Sequence, residues 1–194
     1  YENILQKLNL KVGDHILEVG CGWGGFMEYA ARQGVKVTGV TISKEQYEFS
    51  KKRLSQYAGI AEVRLQDYRE ITGEYSQIVS IEMFEALGGE YWKKYFKILH
   101  SILKPGGKMI IQTITINNND FSSYRRCSDF IQQYIFPGGL LPSPDIFKST
   151  AVRQGFKYVG DFEFGLDYGL TLKRWEENFT RVLDKIKDLG FDEK

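Results

Sequence analysis

Cysteine, histidine and long apolar runs are scarce in this sequence of 194 residues, and each shortage excludes a class of protein. Two cysteines, Cys21 and Cys127, are too few for the disulfide framework of a small secreted domain, so we expect a reducing compartment. The histidines, His15 and His100, lack partners at metal-ligand spacing, so no metal site is predicted. No apolar run approaches the length of a membrane span, and no signal-peptide pattern opens the chain. We therefore expect a soluble, cytoplasmic protein.

An excess of charge of either sign is also missing, since 26 Lys and Arg residues face 25 Asp and Glu residues. The bulk charge therefore gives no indication of a nucleic-acid partner. Local basic clusters occur at residues 51–53 and 93–94. They are either solvated helix faces or contacts for anionic lipid headgroups. A hydrophobic content of 42% supports one sizeable core, so we predict a single domain over residues 1–194.

The segment from residue 16 to residue 32 carries the clearest local pattern. An apolar run at 16–19 predicts a short buried strand, and helix-forming residues follow from 26 to 32. Between them, Gly20, Gly22 and Gly25 match the dinucleotide-binding pattern G-x-G-x-x-G. Glycine is needed in such a turn because the chain reverses sharply and a ligand must approach bare backbone. The order strand, glycine turn, helix predicts the opening of a nucleotide-binding α/β unit.

The charges near this turn indicate which cofactor it holds. A site for NAD needs an acid about twenty residues further on, but the second predicted strand ends at Thr41 and Ile42. The acid stands instead at Glu18, where it would repel a pyrophosphate and attract a sulfonium or an amino group. Trp23 also crowds the loop. These features favour S-adenosylmethionine, and a purely structural glycine turn is the alternative.

Hydrophobic periodicity divides most of the remaining chain into strands and helices. It predicts strands at 35–40, 61–65, 77–81 and 108–116, with helices at 1–10, 43–57 and 91–103. Ser43, with Gln46 three residues later, forms a capping box at one helix start. Strands separated by helices in this way predict a doubly wound α/β fold with a mostly parallel sheet, of the Rossmann-like type.

Residues 117–147 interrupt this rhythm after the fifth strand. The segment is rich in aromatic residues and ends in PGGLLP at 137–142. An insertion there lies over the carboxyl edge of the sheet, where ligands bind in this architecture. We interpret it as a helical lid or substrate wall, with ordinary packing of a surface helix as the alternative. Beyond it we predict a helix at 146–154, a sixth strand at 158–164 and a long helix at 170–189.

Together with the glycine loop, several longer sequence motifs form a pattern that is typical of one protein family. They are GVTIS at 39–43, RLQDY at 64–68, SIEMFE at 80–85, YIFPGG at 134–139, LPS at 141–143, and DY at 167–168 with Thr171, Leu172 and Trp175 beyond. With these blocks the chain resembles, from Asp14 to Phe179, the cyclopropane-fatty-acyl-phospholipid synthase family of S-adenosylmethionine-dependent methyltransferases. That family includes proteins similar to mycolic acid cyclopropane synthases.

The resemblance implies a class I methyltransferase fold and a reaction on lipids. The family transfers a methyl group from S-adenosylmethionine to the double bond of an unsaturated acyl chain. The resulting carbocation loses a proton and closes to a cyclopropane, while related members stop at methyl-branched products. The implied partners are unsaturated phospholipid acyl chains, reached through transient contact with the inner membrane surface.

The resemblance also assigns roles to residues. It implies that Glu85 and Tyr168 are catalytic, because a carboxylate and an aromatic face stabilise a carbocation without capturing it. We also predict a catalytic role for Gln112, which stands where the family has a histidine. An apolar lid would exclude water that quenches the cation. The residues that it places around the cofactor are Glu18, Gly20, Cys21, Gly22, Gly24, Thr41, Ile42, Gln46, Asp67, Tyr68 and Ile81. Without the resemblance, Glu85 would be interpreted as an exposed carboxylate and Tyr168 as a packing residue.

The chain departs from the family pattern at two side chains. Well-known synthases have histidine where this chain has Ala86 and Gln112. The second of those histidines helps to bind bicarbonate, the base of the reaction, so ring closure through bicarbonate is in question here. Gln112 donates hydrogen bonds but does not titrate near neutral pH. We expect it to orient a bound anion or the substrate.

The family's N-terminal segment and the final antiparallel strand of the fold are also absent from the sequence as given. We therefore expect a catalytic core cut from a longer protein. Its sixth strand would have an unpaired edge, which favours strand exchange and makes a homo-oligomer one expectation.

Other functions stay open. Plant relatives in the same superfamily methylate small amines with a similar segment at 80–85, in which Glu82 and Glu85 would hold the substrate cation. A cofactor-binding module that has lost its activity is a further alternative. A dehydrogenase is the least favoured, because no acid stands near Thr41.

Overall fold

Five parallel strands form the centre of the structure, a computed structural model that describes residues 1–11 and 13–191. The strands are β1 (His15–Val19), β2 (Lys36–Thr41), β3 (Ala61–Leu65), β4 (Tyr75–Ile81) and β5 (Leu103–Gln112). They pair in the order β3-β2-β1-β4-β5, all parallel. The predicted doubly wound parallel sheet is confirmed. Its order reverses between β1 and β4, and ligands bind at the carboxyl ends of strands beside such a reversal.

Helices connect the strands and cover both faces of the sheet. In the first part of the chain they are α1 (Glu2–Leu8), α2 (Gly25–Arg32), α3 (Lys44–Arg53) and α4 (Trp92–Ile102). After the sheet come α5 (Phe121–Tyr124), a π-helix (Ile131–Ile135), α6 (Pro144–Arg153), α7 (Gly165–Arg181) and α8 (Leu183–Lys187). No helix among the described residues is long and apolar enough to cross a bilayer.

Two apolar layers pack helices of the first 158 residues against the sheet. On one face, Phe84 packs among the buried aromatic rings of α4, and Phe147 of α6 adds its ring to the cluster. On the other face, Phe26 and Met27 of α2 pack with residues of α1 and β1. Both layers include residues of β1 and β4, so these two strands are packed on both faces where they lead into the loops that follow them.

The described chain divides into two compact units, Tyr1–Tyr158 and Val159–Lys194. The first contains the whole sheet, and the second contains α7 and α8. The single domain over residues 1–194 stays a prediction.

The predicted sixth strand is wrong, because residues 158–164 form neither strand nor helix. Alternation of apolar residues shows which side chains share a face, but a strand forms only beside a neighbouring strand with which it pairs. In addition, Gly160 lowers the intrinsic preference of this segment for the strand conformation. Because this strand is not formed, the prediction that it has an unpaired edge is wrong as well. The helix predicted at 170–189 begins earlier, at Gly165, and its two segments α7 and α8 are separated at Val182.

The segment at 117–147 contains α5, the π-helix and the first turn of α6. Phe121 of α5 is buried against Trp92, whereas Phe130 and Tyr134 are exposed and contact each other, with ring centroids 5.2 Å apart. The function of this segment as a lid stays a prediction. The fifth strand ends at Gln112, four residues before its predicted end at 116.

Candidate active site

The glycine loop follows β1 and is shaped by left-handed backbone. Gly20, Gly22 and Gly24 have φ values of 76°, 52° and 75°, a region that side chains other than glycine disfavour. The N–H groups of Gly20 and Cys21 both donate to the carbonyl of Val40, at 3.0 and 2.9 Å, which ties the loop to β2. The loop therefore presents bare backbone beside the ends of β1 and β2.

Close packing is a second reason for glycine in this loop. A Cβ atom on Gly20 would lie 2.6 Å from Cγ of Met83, in the loop after β4. A Cβ atom on Gly24 would lie 3.0 Å from Oγ of Ser50, and that hydroxyl donates to the carbonyl of Gly22 at 3.0 Å. Ser50 was not predicted as part of the site, since only the three-dimensional fold brings α3 against the loop.

Glu18 lies under this loop in the central strand and is buried. Its Oε2 atom has no hydrogen-bond partner, and burial raises the pKa of the carboxyl well above its usual value of 4.5. The negative charge of Glu18 also contributes to the raised pKa of Tyr1 and of Cys21, although burial is the larger cause for both. The pKa of Cys21 reaches about 12, so this thiol is uncharged and unreactive at neutral pH. Glu18 is thus an unsatisfied buried acceptor that a cationic donor would stabilise.

Residues after β2 form a small polar network. The hydroxyl of Thr41 donates to Oε1 of Gln46 at 2.7 Å, and the N–H of Ser43 donates to the same hydroxyl at 3.2 Å. Ile42 is exposed beside them. Of the predicted capping box only one half forms: Oγ of Ser43 accepts from the N–H of Gln46 at 3.2 Å. The side chain of Gln46 bonds to Thr41 and is held at the carboxyl end of β2.

Asp67 and Tyr68 follow β3 at the same edge. The carboxylate of Asp67 accepts from Nε and Nη2 of Arg69, at 2.9 and 2.6 Å, and from the backbone N–H of that residue at 2.8 Å. These bonds lower the pKa of Asp67, so it is ionised at neutral pH. Tyr68 is half-buried with its ring against that of Tyr95, at 5.4 Å between centroids. The Arg69 contact of Asp67 was not predicted.

The ends of β4 and β5 bring polar side chains together. Ile81 pairs in register with Gln112, and the next residue, Glu82, donates its N–H to the carbonyl of Gln112 at 2.9 Å. The amide Nε2 of Gln112 donates to Oε1 of Glu82 at 2.8 Å. Thr113, which was not predicted, donates its hydroxyl to Oε2 of Glu85 at 3.0 Å. Its position next to Gln112 was the only signal in the sequence.

Glu85 is half-buried, and burial raises the pKa of its carboxyl, with a smaller contribution from the charge of Glu82. Its carbonyl oxygen accepts from the N–H of Leu140 at 3.1 Å. A Cβ atom on Gly139 would lie 2.8 Å from that oxygen, which explains why the block at 134–139 ends in glycine. The segment at 117–147 is therefore anchored directly on the residue predicted to be catalytic.

Tyr168 belongs to the second unit, where it lies in the first turn of α7. Its ring is 6.3 Å from that of Trp175, measured between centroids. The part assigned to it in catalysis stays a prediction. Across residues 1–11 and 13–191, no group of three or more His, Cys, Asp and Glu side chains is arranged to hold a metal ion.

The family described as "Mycolic acid cyclopropane synthetase" matches residues 1–194. The chain belongs to this family. The predicted family resemblance is confirmed, and with it a fold shared with class I methyltransferases that use S-adenosylmethionine.

Individual relatives agree with this assignment. Tuberculostearic acid methyltransferase UfaA1 of Mycobacterium tuberculosis is 37% identical over 195 residues, covering 99% of this chain and 46% of the relative. The cyclopropane-fatty-acyl-phospholipid synthase of Escherichia coli strain K12 is 36% identical over 186 residues, covering 95% of this chain and 47% of the relative. The chain thus spans about half the length of these curated relatives.

A solved structure supports the fold. The cyclopropane synthase MmaA2 from Mycobacterium tuberculosis superposes with a TM-score of 0.85 at 28% sequence identity. The match covers 95% of this chain and 69% of that one.

S-adenosylmethionine, the cofactor of this family, fits the residues at the carboxyl edge. Its amino group would supply the cationic donor that the orphaned Oε2 atom of Glu18 lacks. The glycine loop leaves room for a ligand, since a Cβ atom on Gly22 would meet no atom within 4 Å beyond its own residue and the two next to it in the chain. The cofactor carries an electrophilic methyl group on a sulfonium. The chain's own contribution is to hold it and to shape the space beyond β4 and β5.

Proposed function

We propose that the protein containing this chain methylates the double bond of an unsaturated acyl chain in a phospholipid. The observation that carries the proposal is the position of Glu85. Its half-buried carboxylate accepts a hydrogen bond from Thr113 and lies in the loop after β4, the strand beside the one that leads into the glycine loop. The names of two relatives, a tuberculostearic acid methyltransferase and a cyclopropane-fatty-acyl-phospholipid synthase, support a lipid substrate.

The cofactor roles are part of the same proposal. Glu18 and the loop containing Gly20, Gly22 and Gly24 would bind the methionine part of the cofactor, with Cys21 contributing backbone. The ribose would contact Thr41, Ile42 and Gln46. The adenine would contact Asp67 and Tyr68, and the reacting end would lie near Ile81. In the ribose group, a diol would compete for the hydroxyl of Thr41 and the amide of Gln46, which now bond to each other.

Glu85 would act electrostatically on the substrate. Addition of a methyl group to a double bond leaves a carbocation on the neighbouring carbon. A carboxylate aimed at that carbon stabilises the charge most in a space from which water is excluded. Its partial burial raises the pKa, but the hydrogen bond from Thr113 favours the ionised form.

Contact with the membrane would be peripheral and transient, at the cytoplasmic surface of the inner membrane. Of the basic clusters, the one at 51–53 is partly engaged in the fold. Nε of Arg53 lies 2.7 Å from Oε2 of Glu28, and Nζ of Lys51 lies 5.6 Å from the ring centroid of Tyr47. Lys93 and Lys94 on α4 are exposed, and we propose them as the headgroup contacts.

A second function is favoured by one feature of the site. Glu82 and Glu85 place two carboxylates near each other, and such a pair would also hold the cation of a small amine for N-methylation. The experiment therefore uses the full-length protein, methyl-labelled S-adenosylmethionine, unsaturated phospholipid vesicles and a pool of small amines.

The position of the label decides between these functions. We expect label in the acyl chains, and mass spectrometry then distinguishes a ring from a branch. Label in the amine pool alone would favour N-methylation. Cofactor binding without transfer to any acceptor would show a binding module and overturn the proposal.

A further inference from the structure

The π-helix and the residues beside it expose a cluster of large apolar side chains. Phe130, Tyr134 and Phe136 are 65%, 70% and 56% exposed, and Ile131 and Ile135 are both 49% exposed. The rings of Phe130 and Tyr134 contact each other, with centroids 5.2 Å apart. We call these five residues the apolar patch. On a folded protein, a cluster of exposed apolar side chains usually marks a surface that binds a partner or a membrane.

Hydrogen bonds fix the segment that carries the apolar patch. The N–H of Phe136 donates to the carbonyl of Ile131 at 2.8 Å, and the N–H of Gly139 donates to the carbonyl of Phe136 at 3.0 Å. At the start of the π-helix, Oδ1 of Asp129 accepts from the N–H of Gln132 at 2.8 Å. Because these polar groups are already paired, they would enter less polar surroundings at little cost.

Two arginines, Arg125 and Arg126, line an open depression together with Gln132 of the π-helix. Nε of Arg126 donates to the carbonyl of Ser122 at 2.8 Å, and the guanidinium carbon of Arg125 lies 6.0 Å from the ring centroid of Phe121. Within the part of the chain that the structure describes, neither guanidinium group forms an ion pair with a carboxylate. Both are therefore suited to bind a phosphate, whose oxygens match the planar donors of arginine.

The segment that carries the apolar patch is joined directly to the loop that contains Glu85. Nε2 of Gln132 donates to the carbonyl of Gly139 at 3.3 Å. The N–H of the next residue, Leu140, donates to the carbonyl of Glu85 at 3.1 Å. Gly139 thus lines the depression beside the arginines and also packs against the backbone of Glu85. An acyl chain that leaves a bilayer at the patch would enter the protein close to Glu85.

We propose that the apolar patch, with Arg125 and Arg126, docks on the surface of an anionic phospholipid bilayer. The inference rests on the proposed lipid function, and it adds insertion of apolar side chains to the electrostatic contact of Lys93 and Lys94. Aromatic and aliphatic side chains are stabilised at the boundary between headgroups and acyl chains, while guanidinium groups bind the lipid phosphates. A protein partner would need an apolar groove with carboxylates at its edge, whereas any anionic bilayer supplies both chemistries.

Co-sedimentation of the full-length protein with vesicles of unsaturated phosphatidylglycerol tests this surface without requiring turnover. Replacing both rings, in Phe130→Ser with Tyr134→Ser, should weaken vesicle binding at least about tenfold, because the buried apolar area is lost. Arg125→Gln with Arg126→Gln should weaken it about 10- to 30-fold, since each basic residue near an anionic surface contributes to the attraction. The dependence of binding on salt should also become smaller in the arginine variant.

The matched control is Val152→Ser with Arg153→Gln, which changes an exposed apolar residue and an exposed basic residue on α6. It should bind vesicles as the wild type does. The affinity for S-adenosylhomocysteine, measured by calorimetry, should be equal in the wild type and in all of these variants. Equal affinities would show that the weaker vesicle binding does not come from unfolding.

A fluorescent reporter distinguishes insertion of the patch from a more distant effect. Tyr134→Trp places an indole in the patch, and on vesicles its emission should move to shorter wavelength and be quenched by brominated acyl chains. Val152→Trp should show neither change. If the emission from Tyr134→Trp stays unaltered while the protein binds vesicles, the patch faces a protein surface instead, and the proposal is overturned.

Ring and arginine variants that bind vesicles as tightly as the wild type would also overturn the inference, whether or not the protein transfers label. The proposed function is tested separately, by label in the acyl chains. A wild-type protein that binds vesicles through the patch but puts no label into lipid would contradict the proposed function and support the docking surface.

Discussion

At the scale of single residues, Glu18 is in an environment that is unfavourable for a carboxylate unless a ligand binds to it. Its carboxylate is buried in the central strand, and Oε2 has no partner. Burial raises its pKa in the folded protein above the unfolded value, so the stability that it contributes is present below about pH 4.5 and is lost as pH rises through the folded pKa. At neutral pH, Glu18 therefore destabilises the unliganded protein, and a cationic ligand offsets this cost.

Glu18→Gln should consequently raise the thermal stability of the unliganded protein at neutral pH and weaken cofactor binding. A lost charged hydrogen bond of about 1.5 to 3 kcal/mol corresponds to a decrease in affinity of about 10- to 100-fold. In the wild type, affinity should rise with pH as Glu18 ionises, and this dependence should vanish in the variant. Calorimetric titration of S-adenosylmethionine between about pH 5 and pH 8 measures both effects.

The matched control is Glu48→Gln, an exposed carboxylate on α3. It should change neither stability nor affinity. Equal affinity of wild type and Glu18→Gln at every pH would show that the buried carboxylate does not contact the cofactor.

Prediction from the sequence succeeded for residues whose position follows from one strand and its loop. Glu18 and the glycines lie where the pattern placed them, because a glycine turn after a strand leaves few alternatives. The bonds from Gln112 to Glu82 and from Thr113 to Glu85 could not be predicted. They join the ends of two strands that are distant in sequence, and their geometry depends on the register of β4 and β5.

At the scale of elements, the start of α3 connects helix stability to the cofactor edge. Ser43 caps the helix through the bond from the N–H of Gln46 to its Oγ atom, and it precedes the residues that cover the end of β2. Ser43→Ala should lower the free energy of unfolding by about 1 kcal/mol, the usual value of an N-cap.

Urea unfolding with an unchanged m-value would measure this loss. Ser43→Asp is the control, since aspartate caps as well as serine and should retain wild-type stability. If alanine and aspartate destabilised the protein equally, the cap would not be the source of the effect.

Most helices and strands were predictable because their apolar periodicity matches the face that they bury. The structure of residues 158–164 was not predictable, because alternation of apolar residues indicates which face of a strand is buried but not whether a neighbouring strand is there to pair with it. Only the Ser43 half of the predicted capping box forms, for a related reason. Thr41, at the end of a different element, competes for the side chain of Gln46.

At the scale of the whole molecule, the fold type followed from the order of elements, since strands alternating with helices form a parallel sheet. The division into two units did not follow, because the boundary lacks the composition of a linker. Residues 158–164 have the sequence of a strand without forming one.

Limited proteolysis should expose this boundary. Lys157 and Glu163 are exposed and lie outside helices and strands, where proteases cleave most readily. Trypsin should cut after Lys157, and an enzyme specific for glutamate should cut after Glu163, before either cleaves between residues 15 and 112. Mass spectrometry of early time points identifies the sites. First cuts inside the sheet region would contradict the division.

We propose that the carboxyl edge of the sheet binds S-adenosylmethionine and directs its methyl group to an acyl chain beside Glu85. The most direct measurement is the initial rate of labelled methyl transfer to unsaturated phospholipid by full-length wild type and by Glu85→Gln, with the affinity for S-adenosylhomocysteine measured in parallel. We expect transfer by the wild type, a loss of at least about a hundredfold in the variant, and equal affinities. A Glu85→Gln variant that transfers label at the wild-type rate would contradict this proposal.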